Sequence, residues 1–205
     1  MGELGKASED FASQLNGALL DITVQSPDEI FDVCDADDRV IGQARRADVH
    51  AQNLLHRAVH VWVLRSDGRL VAQRRSASKD QYPNALTSSA SGHLDSGEDY
   101  LSAAVRELGE ELGLSGVELK FAVKLPASPE TAYEHTVLYV TTTDAPLTPD
   151  AGEVAGLEEY TKDELARELS LPGDNLSPPF RQLLEWWMTV NPRGMGSDAG
   201  WKLIP

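Results

Sequence analysis

Three glutamates near the middle of the chain are the residues whose type and spacing most clearly suggest chemistry. Glu107, Glu110 and Glu111 fall within one narrow arc if their segment is helical, at roughly 100° per residue. Like charges at this spacing weaken a helix by roughly a few tenths of a kcal/mol per pair, and only Arg106 lies beside them as a base. Mg²⁺ binds carboxylate oxygens together with water and substrate phosphates, so a bound cation would remove the repulsion. A solvated acidic face is the alternative interpretation.

The segment that carries these glutamates is predicted to be a helix over residues 98–112. Ser96 with Asp99 three positions later predicts a capping-box start, and Gly113 is well placed to end the helix. The face expected to pack against the core consists of Leu101, Ala104, Val105, Leu108 and Leu112.

Apolar runs predict strands on both sides of this helix. Residues 56–64 and 70–75 flank an Asp67-Gly68 turn and form the clearest hairpin, and residues 30–46 form another around an acidic turn. Further strands are predicted at 86–92, 117–125, 135–143 and 157–160, and further helices at 162–169, capped by Thr161, and 178–190. This order favours a mixed sheet between helices over a regular alternation of strands and helices.

The charge balance limits the partners of the protein. With 33 acids and 18 bases, the net charge of −15 repels nucleic acid polymers and anionic membranes. A small anionic substrate would therefore need local cations, and the basic run Arg74, Arg75 and Lys79 is predicted to bind it, with Arg45 and Arg46 as the weaker candidates.

The single cysteine and the hydropathy of the chain predict a cytoplasmic protein. Cys34 alone excludes an intramolecular disulfide framework and favours a reducing compartment. The first residues lack a secretion-signal pattern, and no stretch approaches the roughly 20 apolar residues of a membrane span. Residues 1–26, with Phe11, Leu15 and Leu19 at helical spacing, are expected to be an extension that carries no chemistry.

The segment from Gly92 to Leu114 carries a longer pattern than the glutamates alone. Gly92, five residues, Glu98, seven residues and then RELGEELGL match every specified position of the Nudix box, Gly-x5-Glu-x7-Arg-Glu-U-x-Glu-Glu-x-Gly-U, where U is apolar. The chain therefore resembles the Nudix hydrolases. This resemblance implies an α/β protein with the Nudix fold, an α/β/α sandwich with a mixed β-sheet. We expect this domain at residues 27–190, followed by a C-terminal tail at 191–205.

The resemblance also implies roles for the residues of the box. Glu107, Glu110 and Glu111 would be the catalytic, metal-binding carboxylates, with Glu107 as a candidate to orient or deprotonate the attacking water, and Gly92 would offer its carbonyl to the metal. Arg106 and Glu98 would form a structural salt bridge. The implied cofactor is Mg²⁺, with Mn²⁺ as the alternative. The implied reaction is hydrolysis of a small-molecule diphosphate, a nucleoside diphosphate alone or linked to a group X. The general base stays open among these glutamates and later acids, namely Glu134, Glu153, Glu158 and Glu159.

Flanking segments also resemble the isopentenyl-diphosphate isomerase branch of the same superfamily. In that branch, residues at the positions of His50, His56, His93 and Glu134 form a metal site beside a catalytic cysteine. Here Ser91 stands at the cysteine position and Thr136 at the position of a second glutamate, so an isomerase-like hydrolase is preferred. An isomerase, or a non-catalytic domain that binds a nucleotide or a protein, remains as an alternative. The identity of base, sugar and X, and a homodimeric assembly, are left open.

Overall fold

A computed structural model of the protein describes residues 26–190, which form a mixed β-sheet with helices on both faces. The strands are β1 (Ile30–Cys34), β2 (Val40–Arg45), β3 (His56–Leu64), β4 (Leu70–Arg75), β5 (Leu86–Thr87), β6 (Ala90–His93), β7 (Lys120–Leu125), β8 (Glu134–Thr142) and β9 (Val154–Tyr160). The helices are α1 (Arg46–Gln52), α2 (Tyr100–Leu112), α3 (Lys162–Ser170) and α4 (Pro178–Val190), with a 3₁₀ turn at Pro129–Thr131. The extension and the tail predicted at the two ends lie outside the described residues, apart from Ser26.

The main sheet has the order β5-β4-β3-β8-β7, with β6 paired to β3 and β9 paired to β4. Only the β3–β8 pair is parallel among the described strands, running from His56 opposite Glu134 to Leu64 opposite Thr142. Strands β1 and β2 form a separate antiparallel hairpin. The α/β class and the mixed sheet expected from the sequence are confirmed.

The two faces of the central strand β3 support two separate cores. Val59, Val61 and Val63 pack with α2, whereas Trp62 and Leu64 pack with α4. This division follows from the two-residue period of a strand, which points successive side chains to opposite faces. Full burial of side chains of this size contributes about 1.5–3 kcal/mol each, so both helix layers are held firmly on the sheet.

The local predictions were largely confirmed for elements with a strong pattern. Strands β3 and β4 and helix α4 have the predicted bounds. The predicted strand 86–92 is divided into β5 and β6, because Ser88 and Ser89 between them turn their hydroxyls inward to bind Trp62 and the backbone of Val63. Helix α1 was not predicted.

Two expectations for helix α2 were wrong. The cap is Asp99, which accepts hydrogen bonds from the backbone N–H groups of Leu101 and Ser102, whereas Ser96 donates its hydroxyl to Asp32 instead. Leu101 and Val105 are exposed, at 47% and 52%. The buried stripe runs instead through Ala103, Ala104, Glu107, Leu108, Glu111 and Leu112, so two of the glutamates belong to the face that packs.

Between residues 26 and 190, no helix is both long enough and apolar enough to cross a membrane.

Candidate functional site

Helix α2 places one carboxylate of the predicted site almost completely inside the protein. Glu111 is 1% exposed, and its Oε2 accepts hydrogen bonds from Gln73 Nε2 at 2.7 Å and from the backbone N–H of Ser91 at 2.9 Å. Its Oε1 is buried and has no hydrogen-bond partner within the described residues. Burial, and then the nearby charge of Glu107, hold the pKa of Glu111 well above its usual range. A buried, partly unsatisfied carboxylate is costly unless a cation approaches it.

The carboxylate of Glu107 lies against strand β6. Glu107 is 9% exposed, and a side chain at Gly92 would place its Cβ within 2.6 Å of all three atoms of the Glu107 carboxyl group. Only a glycine leaves this space, which brings the backbone of residue 92 directly beside the carboxylate. Burial raises the pKa of Glu107, and the Arg106 guanidinium opposes this shift.

Arg106 braces the loop that leads into the helix. Its guanidinium binds Glu98 at 2.8 and 3.1 Å and donates to the backbone oxygen of His93 at 3.0 Å. The same side chain donates to Glu107 at 2.7 Å and to the exposed Glu110 at 3.2 Å. The salt bridge expected between Arg106 and Glu98 is thus present, and it fixes the ends of the glutamate segment relative to each other.

A second segment is tied to the end of the same helix. The backbone N–H groups of Thr148 and Asp150 donate to the carbonyls of Leu112 and Glu111, at 2.8 and 2.9 Å. These carbonyls have no partner within the helix because they belong to its last turn. The acidic loop 144–153 therefore has a fixed position relative to the glutamates.

A polar cavity of about 110 Å³ lies beside the glutamates, and basic side chains line it as well. The cavity is lined by Glu107, Glu110, Gly92, Ser91, His93, Arg106, Glu29, Arg46, Lys79 and Glu153. Lys79 is 6% exposed, forms an ion pair with Glu153, and its Nζ lies 3.8 Å from Glu111 Oε1. Arg46, the weaker candidate of the sequence analysis, is also buried here and binds Asp80 at 3.1 Å.

The three basic residues predicted to bind substrate lie in different surroundings. Lys79 lines the cavity of the glutamates, whereas Arg75 lines an adjacent cavity that shares Ser91, Gly92 and His93 with it. Arg74 lines neither of these two cavities, and its guanidinium binds Glu158 at 2.9 Å. Adjacent residues of a strand point to opposite faces, which separates Arg74 from Arg75.

The later acids that could act as general base also differ in their ion-pair partners. Glu158 binds Arg74, and Glu159 binds Arg65 and Arg69. Glu153 is the member of this group that lines the glutamate cavity. The position of Glu153 and the hydrogen bond from Gln73 to Glu111 depend on contacts between distant segments, so no local sequence signal identifies them.

Three histidines form a cluster beside this site. The ligating nitrogens of His50, His56 and His93 lie within 4.8 Å of one another, and His50 Nε2 and His56 Nε2 are buried without a hydrogen-bond partner among residues 26–190. His56 Nδ1 lies 2.8 Å from the carbonyl of Leu54, which fixes the proton on Nδ1 and leaves the Nε2 lone pair free. Burial lowers the pKa of His56 to about 4, so the ring is neutral.

The fourth residue of the expected cluster is also present. Glu134 Oε1 lies 3.2 Å from His93 Nε2 and 4.0 Å from His56 Nε2. Neutral imidazoles with a carboxylate suit ions such as Zn²⁺ or Mn²⁺. One contact opposes metal binding by this cluster. Arg46 Nη1 lies 3.2 Å from His93 Nδ1 and can only donate to it, which occupies the lone pair of that nitrogen. Ser91 lies in β6 opposite His60, and Thr136 lies in β8 opposite Ala58, so neither residue supplies a thiol or a carboxylate.

The ligand atoms of the glutamate site and of the histidine cluster indicate which metal ions each could bind. The unsatisfied Glu111 oxygen, the Glu107 carboxylate beside the Gly92 backbone and the solvent-facing Glu110 supply only oxygen ligands, the type that Mg²⁺ prefers. The carboxylate site therefore fits a hard divalent cation, whereas the histidine cluster offers nitrogen ligands for a softer one at His50 and His56 and is opposed at His93 by Arg46.

Comparison with known proteins gives a consistent result. The family model described as NUDIX domain matches residues 54–188. A Yersinia pestis protein named as an uncharacterized Nudix hydrolase is 31% identical over 163 residues, which are 80% of this chain and 87% of that protein. A crystal structure of DR0079 from Deinococcus radiodurans aligns with a TM-score of 0.67 at 29% identity and covers 77% of this chain and 98% of that one.

Other relatives match a shorter region. An uncharacterized Nudix hydrolase of Streptomyces coelicolor is 45% identical over 98 residues, 48% of this chain and 54% of that protein. An isopentenyl-diphosphate delta-isomerase of Serratia proteamaculans is 44% identical over 88 residues, 43% of this chain and 49% of that protein. The chain thus spans about half the length of these two relatives.

Proposed function

The chain belongs to the Nudix family of hydrolases, which act on phosphorus-containing acid anhydrides, and we propose that it cleaves the diphosphate link of a nucleoside diphosphate, free or linked to a group X, with Mg²⁺ as cofactor. Mn²⁺ is the alternative ion. The substrate is a small molecule rather than a nucleic acid polymer, because the net charge of −15 disfavours binding to a polyanion.

The observation that carries the proposal is the buried Oε1 of Glu111, which accepts no hydrogen bond within residues 26–190 and lies near the Glu107 carboxylate. Glu107, Glu110 and Glu111, with the carbonyl of Gly92, would hold the metal. When bound, such an ion neutralises phosphate charge and lowers the pKa of water. Gln73 and the Ser91 N–H fix one oxygen of Glu111 and leave the other available, so the chain orients this ligand before the ion arrives.

Proton removal from the attacking water is assigned to the most suitable carboxylate. Glu107 is the candidate, because burial raises its pKa above the usual carboxyl value and so makes it a better proton acceptor than an exposed carboxylate. Water then attacks phosphorus, a P–O–P bond breaks, and the departing phosphate oxygen carries the charge.

Cations around the cavity would hold the substrate phosphates. Lys79 is suited to this role because its ammonium group is buried between Glu111 and Glu153, and Arg75 contributes from the adjacent cavity. The Arg46 guanidinium lines the first cavity and adds a further positive charge. Arg74 lines neither cavity, so it stays a prediction with weaker support than Lys79 and Arg75.

Isomerisation of a prenyl diphosphate is the second candidate function. It is favoured by the histidine cluster with Glu134 and by the similarity to the Serratia isomerase. It is disfavoured by Ser91 and Thr136, because moving an allylic double bond requires one group that delivers a proton and another that removes one.

A test with purified protein and Mg²⁺ separates these chemistries. We expect cleavage of at least one nucleoside diphosphate compound in ¹⁸O-labelled water, with the label in a phosphate product, and no conversion of isopentenyl diphosphate to dimethylallyl diphosphate. Efficient isomerisation without P–O–P cleavage would reverse the order of the two functions. Ligand-induced thermal stabilisation without any turnover would instead indicate a non-catalytic binding domain.

Variants test the site within the same assay. Glu110→Gln or Glu111→Gln should reduce turnover by about 100-fold or more while the fold is retained, because each removes a charged metal ligand. Near-normal Mg²⁺-dependent activity in both variants with metal in excess would contradict the assignment.

A further inference from the structure

A second cavity adjoins the glutamate cavity and has its own set of polar side chains. It shares Ser91, Gly92 and His93 with the glutamate cavity and extends towards Ser177 and Pro179 near the start of α4. Its volume is about 50 Å³. A bound water needs roughly 10–15 Å³, so the cavity has room for a small polar group such as a carboxylate or phosphate.

One donor of this cavity comes from a fixed imidazole on the central strand. His60 is 4% exposed and lies opposite Ser91 in the β3–β6 pairing. Its Nδ1 is 2.8 Å from the hydroxyl of Ser88, and that hydroxyl also accepts the indole N–H of Trp62 at 2.9 Å. Because the indole can only donate, the Ser88 hydroxyl hydrogen has one acceptor among the described residues, which is His60 Nδ1.

This chain of hydrogen bonds decides which nitrogen of His60 carries its proton. With Nδ1 accepting from Ser88, the proton of the neutral ring lies on Nε2. Nε2 makes no hydrogen bond within residues 26–190, and the side chain lines the cavity. The burial of the ring and the neighbouring Arg75 charge both lower the pKa of His60, to about 3, so the ring stays neutral.

The second donor is Arg75, which is 8% exposed. Its Nε donates to the carbonyl of Gln81 at 3.0 Å, and its two terminal nitrogens have no hydrogen-bond partner in the described part of the chain. The acid that also lines this cavity, Glu134, has its Oε1 turned to His93 Nε2 at 3.2 Å. A guanidinium and an imidazole N–H therefore offer donors to the same small space, which is lined by Thr87 and Ser177 hydroxyls as well.

We propose that this cavity, here called the His60 pocket, binds an anionic oxygen group on the part of the substrate beyond the cleaved diphosphate, with His60 Nε2–H and Arg75 as its donors. The proposal rests on the proposed function, since the diphosphate itself must lie among the glutamates. It narrows the substrate class to diphosphate compounds whose leaving portion carries a carboxylate or a further phosphate. His60 is then a specificity-determining residue that lies outside the Nudix box.

Two matched pairs of compounds test this inference in steady-state assays. UDP-glucuronate and UDP-glucose differ in a carboxylate, whereas UTP and UDP differ in a terminal phosphate. The second pair is also tested with the corresponding triphosphates and diphosphates of adenosine, guanosine and cytidine. We expect the wild-type protein to favour the anionic member of one pair type by about tenfold or more in kcat/KM, the effect of one hydrogen bond to a charged group. The pair type that shows the preference identifies the source of the anionic group.

Substitutions at His60 and Ser88 separate specificity from folding. His60→Phe should raise KM for the anionic member about tenfold or more and change that of its partner by less than about twofold. His60→Gln retains an N–H donor and should recover part of the preference, and Ser88→Ala, which removes the group that fixes the proton on Nε2, should weaken it. Thermal denaturation of each variant reports whether the fold is intact.

Binding measured without metal distinguishes failure of this inference from failure of the proposed function. In thermal-shift titrations with EDTA, the wild-type protein should be stabilised more by the anionic member, and His60→Phe should be stabilised equally by both. Preferential binding without cleavage of any compound would refute the hydrolase function and leave the His60 pocket supported. Cleavage or binding without any anionic preference, an unchanged preference in His60→Phe, or no interaction with any anionic member would overturn the inference.

Discussion

Replacing Gly92 by alanine should disable the enzyme without unfolding it. A Cβ at this position would lie within 2.6 Å of all three atoms of the Glu107 carboxyl group, so that carboxylate must retreat by at least about 1 Å to reach an ordinary van der Waals separation. A misplacement of about 1 Å at a reacting group can cost about 100-fold in rate. We therefore expect kcat for Gly92→Ala to fall by about 100-fold or more.

The same geometry predicts a smaller effect on stability. Glu107 ends in a flexible side chain that can rotate away, and the main loss is its hydrogen bond from Arg106 at 2.7 Å. A hydrogen bond to a charged group contributes about 1.5–3 kcal/mol, and partial exposure of Arg106 puts the cost at or below the lower end of that range. Urea denaturation should therefore show a loss of about 1 kcal/mol, far too little to unfold the domain.

A second glycine of the same motif provides the matched control. Gly109 lies within helix α2, and a Cβ there would have nothing within 4 Å. Gly109→Ala should keep full activity and raise the free energy of unfolding by about 0.5–1 kcal/mol, the difference in helix propensity between the two residues. Near-normal kcat in Gly92→Ala, or an equal loss in Gly109→Ala, would refute the argument that Gly92 is needed for the position of Glu107.

Three further predictions concern the rest of the site and the ends of the chain. Arg75→Ala should lower kcat/KM by about tenfold or more, because the side chain lines a cavity, whereas Arg74→Ala should stay within about twofold, and equal effects of the two would contradict the placement. Burial raises the pKa of Glu111 from 4.5 to about 8, so the folded state binds the extra proton and the metal-free protein should lose stability as pH rises through that window. Glu111→Gln should lose less stability over the same pH range in denaturation with EDTA, and an identical pH profile would show that this carboxyl does not titrate as described. Deletion of residues 1–26 should leave turnover within about twofold, and a folded but inactive truncated protein would show that the boundary is misplaced.

Elements with a strong local pattern could be predicted from the sequence with close bounds. Strand β3 has a nearly continuous apolar run, and helix α4 has a clear apolar stripe, so neither needed information from the rest of the fold. Helix α1 could not be predicted, because its seven residues bury only Arg46 and Val49. So short a helix is not stable alone, and tertiary contacts hold it in place.

The candidate site also has parts that the sequence could predict and parts that it could not. The three carboxylates lie close together in the sequence, so their spacing indicated them, and the Arg106–Glu98 salt bridge was implied by the resemblance to the Nudix box. The ion pair of Lys79 with Glu153 joins residues that are distant in the sequence, and no local pattern encodes it. Both faces of β4 are packed, so the different surroundings of Arg74 and Arg75 depend on which elements cover each face, which only the assembled sheet decides.

The acidic loop 144–153, which donates hydrogen bonds to the last turn of helix α2, limits the sequence changes that this part of the protein can accept. Surface loops usually accept insertions and deletions, because a longer loop adds little closure entropy. Here the N–H groups of Thr148 and Asp150 complete the last turn of the helix. An inserted residue between them would leave carbonyls of that turn without donors and would shift Glu153 relative to Lys79. In a library of random variants, this segment should therefore accept many side-chain replacements but few changes of length, as the exposed side of a strand paired in a sheet does.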